Sequence, residues 1–265
     1  SVLLAPATSP DDVYSGLDPT DVSVLNFDDD GLGVSLTPTT GLQTTESGGT
    51  ALFSIELGSQ PTADVLITLT SDDPSEGTVP PSVTFTPIDW ATPQTVTITG
   101  QPDDFDDGDI DYLIQTAAVA SADLNYDGLE LPDVSVRNVD DDDAQFTVGA
   151  ISGSVDEAGA TTANFTVELE AQPAPGTQVV VLVSVEDGTE LSAAPSSFTF
   201  LPGDWTDVRT VTVTGQDDPL IDGDQSTLVV LTIDDPNSDP AFGLIPNQIV
   251  AVTNVDDDSP GFPIV

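Results

Sequence analysis

Residues 83–100 read VTFTPIDWATPQTVTITG, and residues 198–215 read FTFLPGDWTDVRTVTVTG. Trp90 and Trp205 are 115 positions apart, as are Gly100 and Gly215. A spacing that holds across a whole segment marks an internal repeat, and missing it misreads the fold. The alignment runs on. QPDDFDDGD (101–109) matches QDDPLIDGD (216–224), and NYDGLELPDVSVRNVDDDD (125–143) matches PAFGLIPNQIVAVTNVDDD (240–258). The latter segment occurs once more near the start, as VYSGLDPTDVSVLNFDDD (13–30). In each of the three copies an aromatic residue (Tyr14, Tyr126, Phe242) precedes an Asn (Asn26, Asn138, Asn254) by 12 positions.

The copies divide the chain. Two full units span about 31–143 and 144–258; residues 1–30 read as the last strand of a preceding unit, and 259–265 as the opening of a following unit or a tail. Within a unit the signal is all strand. TVTITG, TVTVTG, TANFTVELE, ADVLITLT and VVVLVSV are β-branched runs, mostly alternating, with Pro, Gly, Asp and Ser between them. No stretch keeps a helical apolar period for three turns. The expected fold is all-β: tandem immunoglobulin-like antiparallel sandwiches of about seven strands. Trp90 and Trp205 are expected to pack on the two cores at equivalent places.

Composition narrows the chemistry. The 265 residues carry 47 Asp and Glu against 2 basic residues, a net charge of -45, with no His, Cys or Met. Both basic residues are Arg, so Lys is absent too. Nucleic-acid binding lacks a cationic surface. Disulfides and Cys/His metal sites are excluded. So are catalytic schemes that need His and phosphate loops that need Lys. The longest apolar run, Val179 to Val185, is far too short to span a bilayer, so no membrane insertion is expected.

More than half of the acids sit in a few loops. In the first unit these are Glu46, the loop 72–76, the loop 103–111 and the run Asp140 to Asp143. In the second they are Glu157, the loop 186–190, the loop 217–224 and the run Asp256 to Asp258. With strands labelled A to G and alternating in direction, the A–B, C–D and E–F loops and the exit of G share one end of the sandwich. Like charges about 4 Å apart repel by about 1 kcal/mol even in water. No Lys is present to neutralise them. A hard divalent cation is the expected partner, and Ca²⁺, with 6–8 oxygen ligands in flexible geometry, suits shared carboxylates better than Mg²⁺. Two or more Ca²⁺ ions per repeat are expected. A solvated acidic face, as in a salt-adapted protein, is the competing reading.

A Glu after the first strand, a DD…DGD loop before the sixth and an N-V-D-D-D close together resemble the Calx-beta repeat. Pro87-Ile-Asp-Trp90 and Pro202-Gly-Asp-Trp205 are similar to its tandem arrays in large bacterial surface proteins in particular. The resemblance implies a seven-stranded sandwich with Ca²⁺ at the loop end. Carried over by position, it implies as ligands Glu46, Asp72, Asp103, Asp104, Asp107, Asp109, Asp140, Asp141 and Asp142 in the first unit. In the second it implies Glu157, Asp187, Asp217, Asp218, Asp222, Asp224, Asp256, Asp257 and Asp258. Asp104 aligns with Pro219, so the acidic pair shifts by one residue between units. Asp28, Asp29 and Asp30 would hold metal only with ligands from a neighbouring chain.

The function expected on this basis is a non-enzymatic structural repeat, extracellular or at the cell surface, in a stalk, adhesin or filament stiffened by Ca²⁺ at its joints. Its partners would be neighbouring repeats or identical subunits. A filament subunit donating residues 1–30 by strand exchange is the second reading. A Ca²⁺ sensor is a third, and a carboxylate-pair glycoside enzyme the least favoured, because no acid pair stands apart and aromatics are only 6% of the chain.

Overall fold

The computed structural model describes residues 2–25, 31–159, 161–259 and 261. Strands form where apolar residues alternate. The first ten are β1 (Val34–Thr37), β2 (Leu42–Thr45), β3 (Thr50–Leu57), β4 (Val65–Ser71), β5 (Gly77–Thr78), β6 (Ser82–Phe85), β7 (Gln94–Gly100), β8 (Ile110–Thr116), β9 (Ala120–Ser121) and β10 (Val134–Val139). They make two sheets, ordered β1-β3-β7-β5 and β2-β10-β8-β4-β6, with β9 also on β4. β4 shows why the faces separate: Val65, Ile67 and Leu69 turn inward, while Leu66, Thr68 and Thr70 face out. Phe53, Ile55 and Ile98 from one sheet join Ile67, Ile114 and Val136 from the other in a single core. The result is a β-sandwich.

The second set repeats the first: β11 (Phe146–Val148), β12 (Val155–Asp156), β13 (Thr162–Leu169), β14 (Val179–Val185), β15 (Leu191–Ala194), β16 (Ser197–Phe200), β17 (Arg209–Gly215), β18 (Gln225–Ile233) and β19 (Gln248–Val255). Its sheets are β11-β13-β17-β15 and β12-β19-β18-β14-β16, closed over a separate core that includes Phe165, Phe200, Val211 and Leu231. Two short 3-10 helices, Asp235–Asn237 and Pro240–Leu244, lie between β18 and β19.

One feature departs from a purely antiparallel sandwich. The opening strand of each unit is split between sheets. β1 pairs antiparallel with β3, and the chain then crosses at Pro38 to Gly41, so β2 runs parallel to β10. β12 pairs parallel with β19 in the same way. The split brings the residue after β2, Glu46, beside the exit of the last strand: Glu46 N–H donates to Val139 O at 3.1 Å, as Glu157 N–H does to Val255 O.

The repeated motifs that first define the units have structural tasks. Asp89 accepts the Thr86 N–H at 2.6 Å, and Asp204 the Leu201 N–H at 2.7 Å, each closing the turn before the long central strand. Trp90 and Trp205 are partly buried against their cores. Residues 2–25 join neither sandwich. They carry an isolated antiparallel bridge, Val2 to Val22, and a turn between them. Asn26 and Asp28 to Asp30 lie outside the described residues, as do Pro260 and 262–265.

Gly100 and Gly215 end β7 and β17 where no side chain fits. A Cβ on Gly100 would overlap Thr45 O and Asn138 Oδ1, and one on Gly215 would overlap Asp156 O and Asn254 Oδ1. Thr45 O and Asp156 O are backbone carbonyls that accept turn hydrogen bonds, and the two amide oxygens belong to fully buried Asn side chains, so none of them yields easily. Gly100→Ala and Gly215→Ala should each destabilise their unit by about 1–3 kcal/mol, the range for overpacking. Gly203→Ala, where a Cβ meets nothing within 4 Å, should change the melting temperature little. Equal melting temperatures for all three variants would refute this account.

Candidate metal centres

Two acidic groups occupy the loop end of each sandwich. Glu46, Asp140 and Asp142 each offer a carboxylate oxygen, all within 4.8 Å of one another; so do Glu76, Asp103 and Asp107. The second unit repeats both groups with Glu157, Asp256 and Asp258, and with Glu190, Asp218 and Asp222. Oxygens sharing one Ca²⁺ at about 2.3–2.6 Å lie no more than about 5 Å apart, so each group fits around one ion.

Local structure aims these side chains. The residue after Asp107 is Gly108, at φ +78°, and its N–H donates to Asp140 Oδ2 at 2.7 Å. Gly223, also at φ +78°, donates to Asp256 Oδ2 at 2.8 Å. This left-handed conformation suits glycine. Asp142 N–H donates to Asp140 Oδ1 and Asp258 N–H to Asp256 Oδ1, both at 2.8 Å, curling each acidic run back on itself. Asp103 and Asp218 receive the N–H two residues on, from Phe105 and Leu220. The acidic pair that shifts in sequence therefore aligns in space at Asp103 and Asp218.

Beneath each site lies a fully buried Asn. Asn138 Nδ2 donates to Glu76 Oε2 at 3.3 Å and to Gln101 O at 3.2 Å, while its Oδ1 accepts the Thr44 hydroxyl at 2.9 Å. Asn254 Nδ2 donates to Glu190 Oε2 at 3.4 Å and Gln216 O at 3.2 Å. The residue paired with Asn254 is Val155 rather than a Thr, and Asn254 Oδ1 makes no hydrogen bond.

Glu46 and Glu157 are each only 1% exposed, and in both the Oε2 atom has no hydrogen-bond partner; Asp258 Oδ2 is also buried and unpartnered. An ionised carboxylate is costly to bury this way. Burial, followed by the charges of Asp140 and Asp103, pushes Glu46 up to about 8. Burial and then Asp256 and Asp218 push Glu157 up to about 6. Asp142 rises to about 6, first from burial and then from Asp104 and Asp140. Glu76, Asp107 and Asp258 are raised too, each chiefly by burial. Neither Arg relieves this. Arg137 makes a two-pronged pair with Asp111 at 2.7 and 3.0 Å and reaches Asp109 at 3.7 Å. Arg209 pairs with Asp204 and Asp207 and lies over the Phe200 ring.

The acids expected as ligands thus divide. Glu46, Asp103, Asp107, Asp140 and Asp142 come together, as do Glu157, Asp218, Asp222, Asp256 and Asp258. Asp109 and Asp224 accept the N–H of Asp140 and Asp256 and so position the run. Asp104 and Asp141 press on Asp142, and Asp217 and Asp257 on Asp258, by charge from outside the groups of three. Asp72 has another task, accepting the Leu113 N–H at 2.7 Å. Asp187 closes its own turn by accepting the Thr189 N–H at 2.9 Å and the Thr189 hydroxyl. Asp72 and Asp187 are not equivalent positions. Asp187 corresponds to Asp73, which holds Ser75 in the same turn. The residues the ligand set lacks are Glu76 and Glu190. Aligning the two C–D loops on the acid that closes each, rather than on the pair that opens the first, exposes them.

No family model and no curated protein matches the chain. Among solved structures, it is similar to the calcium binding domain CBD12 of CALX1.1, at 15% identity and TM-score 0.32 over 76% of this chain and 80% of that one. It is also similar to the D0-D1 domain of intimin, at 10% and 0.28 over 84% and 97%. A third is the Yersinia pseudotuberculosis adhesin InvE, at 11% and 0.32 over 84% and 58%. At such TM-scores these similarities add nothing to the site, which rests on its own geometry.

The raised carboxyls fix a pH dependence. Glu46 titrates near 8 in the fold against about 4.5 ordinarily, so between these values the folded state keeps a proton that the unfolded chain has released. Stability without divalent metal should therefore fall from pH 5 to pH 8. The hydrogen-bonded acids Asp89, Asp123, Asp187 and Asp204 titrate below their usual 3.8 and act only at lower pH. Thermal melts in EDTA should show the fall, and millimolar Ca²⁺ should remove or reverse it. A melting temperature in EDTA that is flat or rising over this window would contradict the burial of Glu46.

Proposed function

We propose that this chain is a non-enzymatic, Ca²⁺-stiffened structural repeat of an extracellular or cell-surface stalk, adhesin or filament. One observation carries the reading: in both units a buried Glu, Glu46 or Glu157, has an unpartnered oxygen and gathers with two further carboxylates. A divalent cation supplies the missing partner and cancels the charge that burial resists. Glu46, Asp140 and Asp142 would hold one ion, and Glu76, Asp103 and Asp107 a second. Glu157, Asp256 and Asp258, with Glu190, Asp218 and Asp222, would hold two more. Ca²⁺ is favoured over Mg²⁺ because four all-protein carboxylate groups suit an ion that gives up its waters readily. Extracellular Ca²⁺ modules bind at about 10⁻⁴–10⁻³ M, which fits a surface setting. Among the described residues no helix is long and apolar enough to cross a membrane.

The joint gives the ions a mechanical use. The loop that carries Asp103 and Asp107 also touches the second unit: Asp106 Oδ2 accepts the Ala144 N–H at 2.8 Å, and Asp104 O accepts the Gln172 N–H at 2.6 Å. Ala144 belongs to the second core. Ions that order this loop would therefore fix one sandwich against the next.

Calorimetric titration should find four Ca²⁺ per chain. Glu46→Gln and Glu76→Gln should each weaken binding at one site of the first unit by about tenfold, since ligand charge sets affinity. Asp64→Asn, outside the groups, should not. Small-angle scattering should show an extended particle in millimolar Ca²⁺ and a broader distribution of shapes in EDTA. If molar NaCl reproduces the effect of Ca²⁺, the salt-adapted reading replaces this one.

A further inference from the structure

Residues 2–25 align without a gap with residues 114–137, which form the end of β8, the connection after it and the first part of β10. The two turns share their backbone hydrogen bonds. Asp11 O accepts the N–H of Tyr14 and Ser15 at 3.1 and 3.0 Å; Asp123 O accepts those of Tyr126 and Asp127, both at 3.0 Å. Ala7 N–H donates to Leu17 O and Gly16 N–H to Ala7 O, as Val119 donates to Leu129 O and Gly128 to Val119 O. Asp11 caps its own turn through the Val13 N–H at 2.9 Å, and Asp123 through the Asn125 N–H at 3.0 Å. Leu4 N–H reaches Asp21 Oδ1 at 3.0 Å, as Thr116 N–H reaches Asp133 Oδ1 at 2.9 Å. Even the register is kept, since the Val2–Val22 bridge is the counterpart of the Ile114–Val134 pair. Gly16 and Gly128 both have positive φ, at 84° and 77°.

What differs is the cover. Tyr126 is 1% exposed, and its hydroxyl donates to Ser59 O at 2.6 Å; Tyr14 is 60% exposed. Val134 and Val136 are buried at 0% and 1%, whereas Val22 and Val24 are 50% and 60% exposed. Asp123 Oδ2 accepts the Thr62 N–H, from the connection between β3 and β4. So the same hairpin, seen twice in one chain, displays its occupant once: the strands β1 to β7.

We infer that residues 2–25 are a preformed closing hairpin that docks onto the open β1-to-β7 strand set of another repeat of this same kind, one that lacks its own β8-to-β10. The inference does not depend on metal.

Two variants of the full chain test it. In the first, a copy of residues 31–112 is placed directly before Ser1. A third sandwich should fold, and amide exchange of residues 2–24 should slow by at least about 100-fold, to the rates of residues 114–136. In the second, residues 113–137 are replaced by a copy of residues 1–25; the first unit should still fold, with the grafted tyrosine protected. Unfolding of the graft would overturn the proposal. So would an extension whose residues 2–24 exchange at unprotected rates while the graft folds, because the hairpin would then leave an open strand set supplied to it uncovered. A third result would replace it: concentration-dependent dimers of the unextended chain that protect residues 2–24 and are lost in Tyr14→Asp. That outcome would make a second copy the occupant.

Discussion

Asn138 and Asn254 sit where water does not reach, and each ties together parts of the chain that the sandwich alone would leave loose. Asn138 joins β10 to the acid that closes one loop, Glu76, to the backbone that opens another at Gln101, and through Thr44 to the split first strand. A buried amide that hydrogen-bonds its neighbours holds them to a narrow geometry. That geometry helps to hold the two acidic groups, Glu46 with Asp140 and Asp142, and Glu76 with Asp103 and Asp107, at one end of the sandwich. The glycines that end β7 and β17 are the space this arrangement requires.

Ordinary apolar packing folds each sandwich, and the acidic end works against it. The core strands bring together carboxylates that repel, and burial raises several of them above their usual range. The fold thus stores an electrostatic cost in one place instead of spreading it over the surface. Because the loop that carries part of that charge also bonds to Ala144 and Gln172, whatever relieves the cost also acts on the joint. The second unit is built alike but with one polar contact fewer, since Val155 stands where Thr44 would reach the Asn. Its buried amide oxygen is left without a donor.

Much of this is legible in the residues themselves. Alternation in ADVLITLT and TVTITG gives strands whose inward residues are those seen in the cores. Alternating strand direction is enough to send the A–B, C–D and E–F acids to one end. Which acid in a loop faces the centre is harder to read. Asp72 and Glu76 are four residues apart in one loop, and only the register of β8 decides that Asp72 turns to the Leu113 N–H while Glu76 turns inward. The parallel pairing of β2 with β10 is also invisible in the sequence, because crossing between sheets leaves no mark beyond a Pro and a Gly. The segment 13–30 reads as a strand by its likeness to β10. The structure shows its described part to be more, since the turn and the bridge from Val2 to Val22 are copied as well.

Arg137 and Arg209, the only basic residues, are ion-pair partners of nearby acids. They are also the only two places where a protease of trypsin-like preference could cut this chain. Arg137 lies within β10, paired on one side with Gln43 and on the other with Asp111. Arg209 lies in β17 opposite Val167, its guanidinium held by Asp204 and Asp207. A protease needs several residues of free, extended backbone, and neither bond can offer that until its sheet comes apart. The same scarcity of cations that leaves the acidic loops unneutralised therefore makes the folded chain almost blind to a whole class of digestive enzymes. Cleavage at either Arg would report directly on the opening of a sandwich.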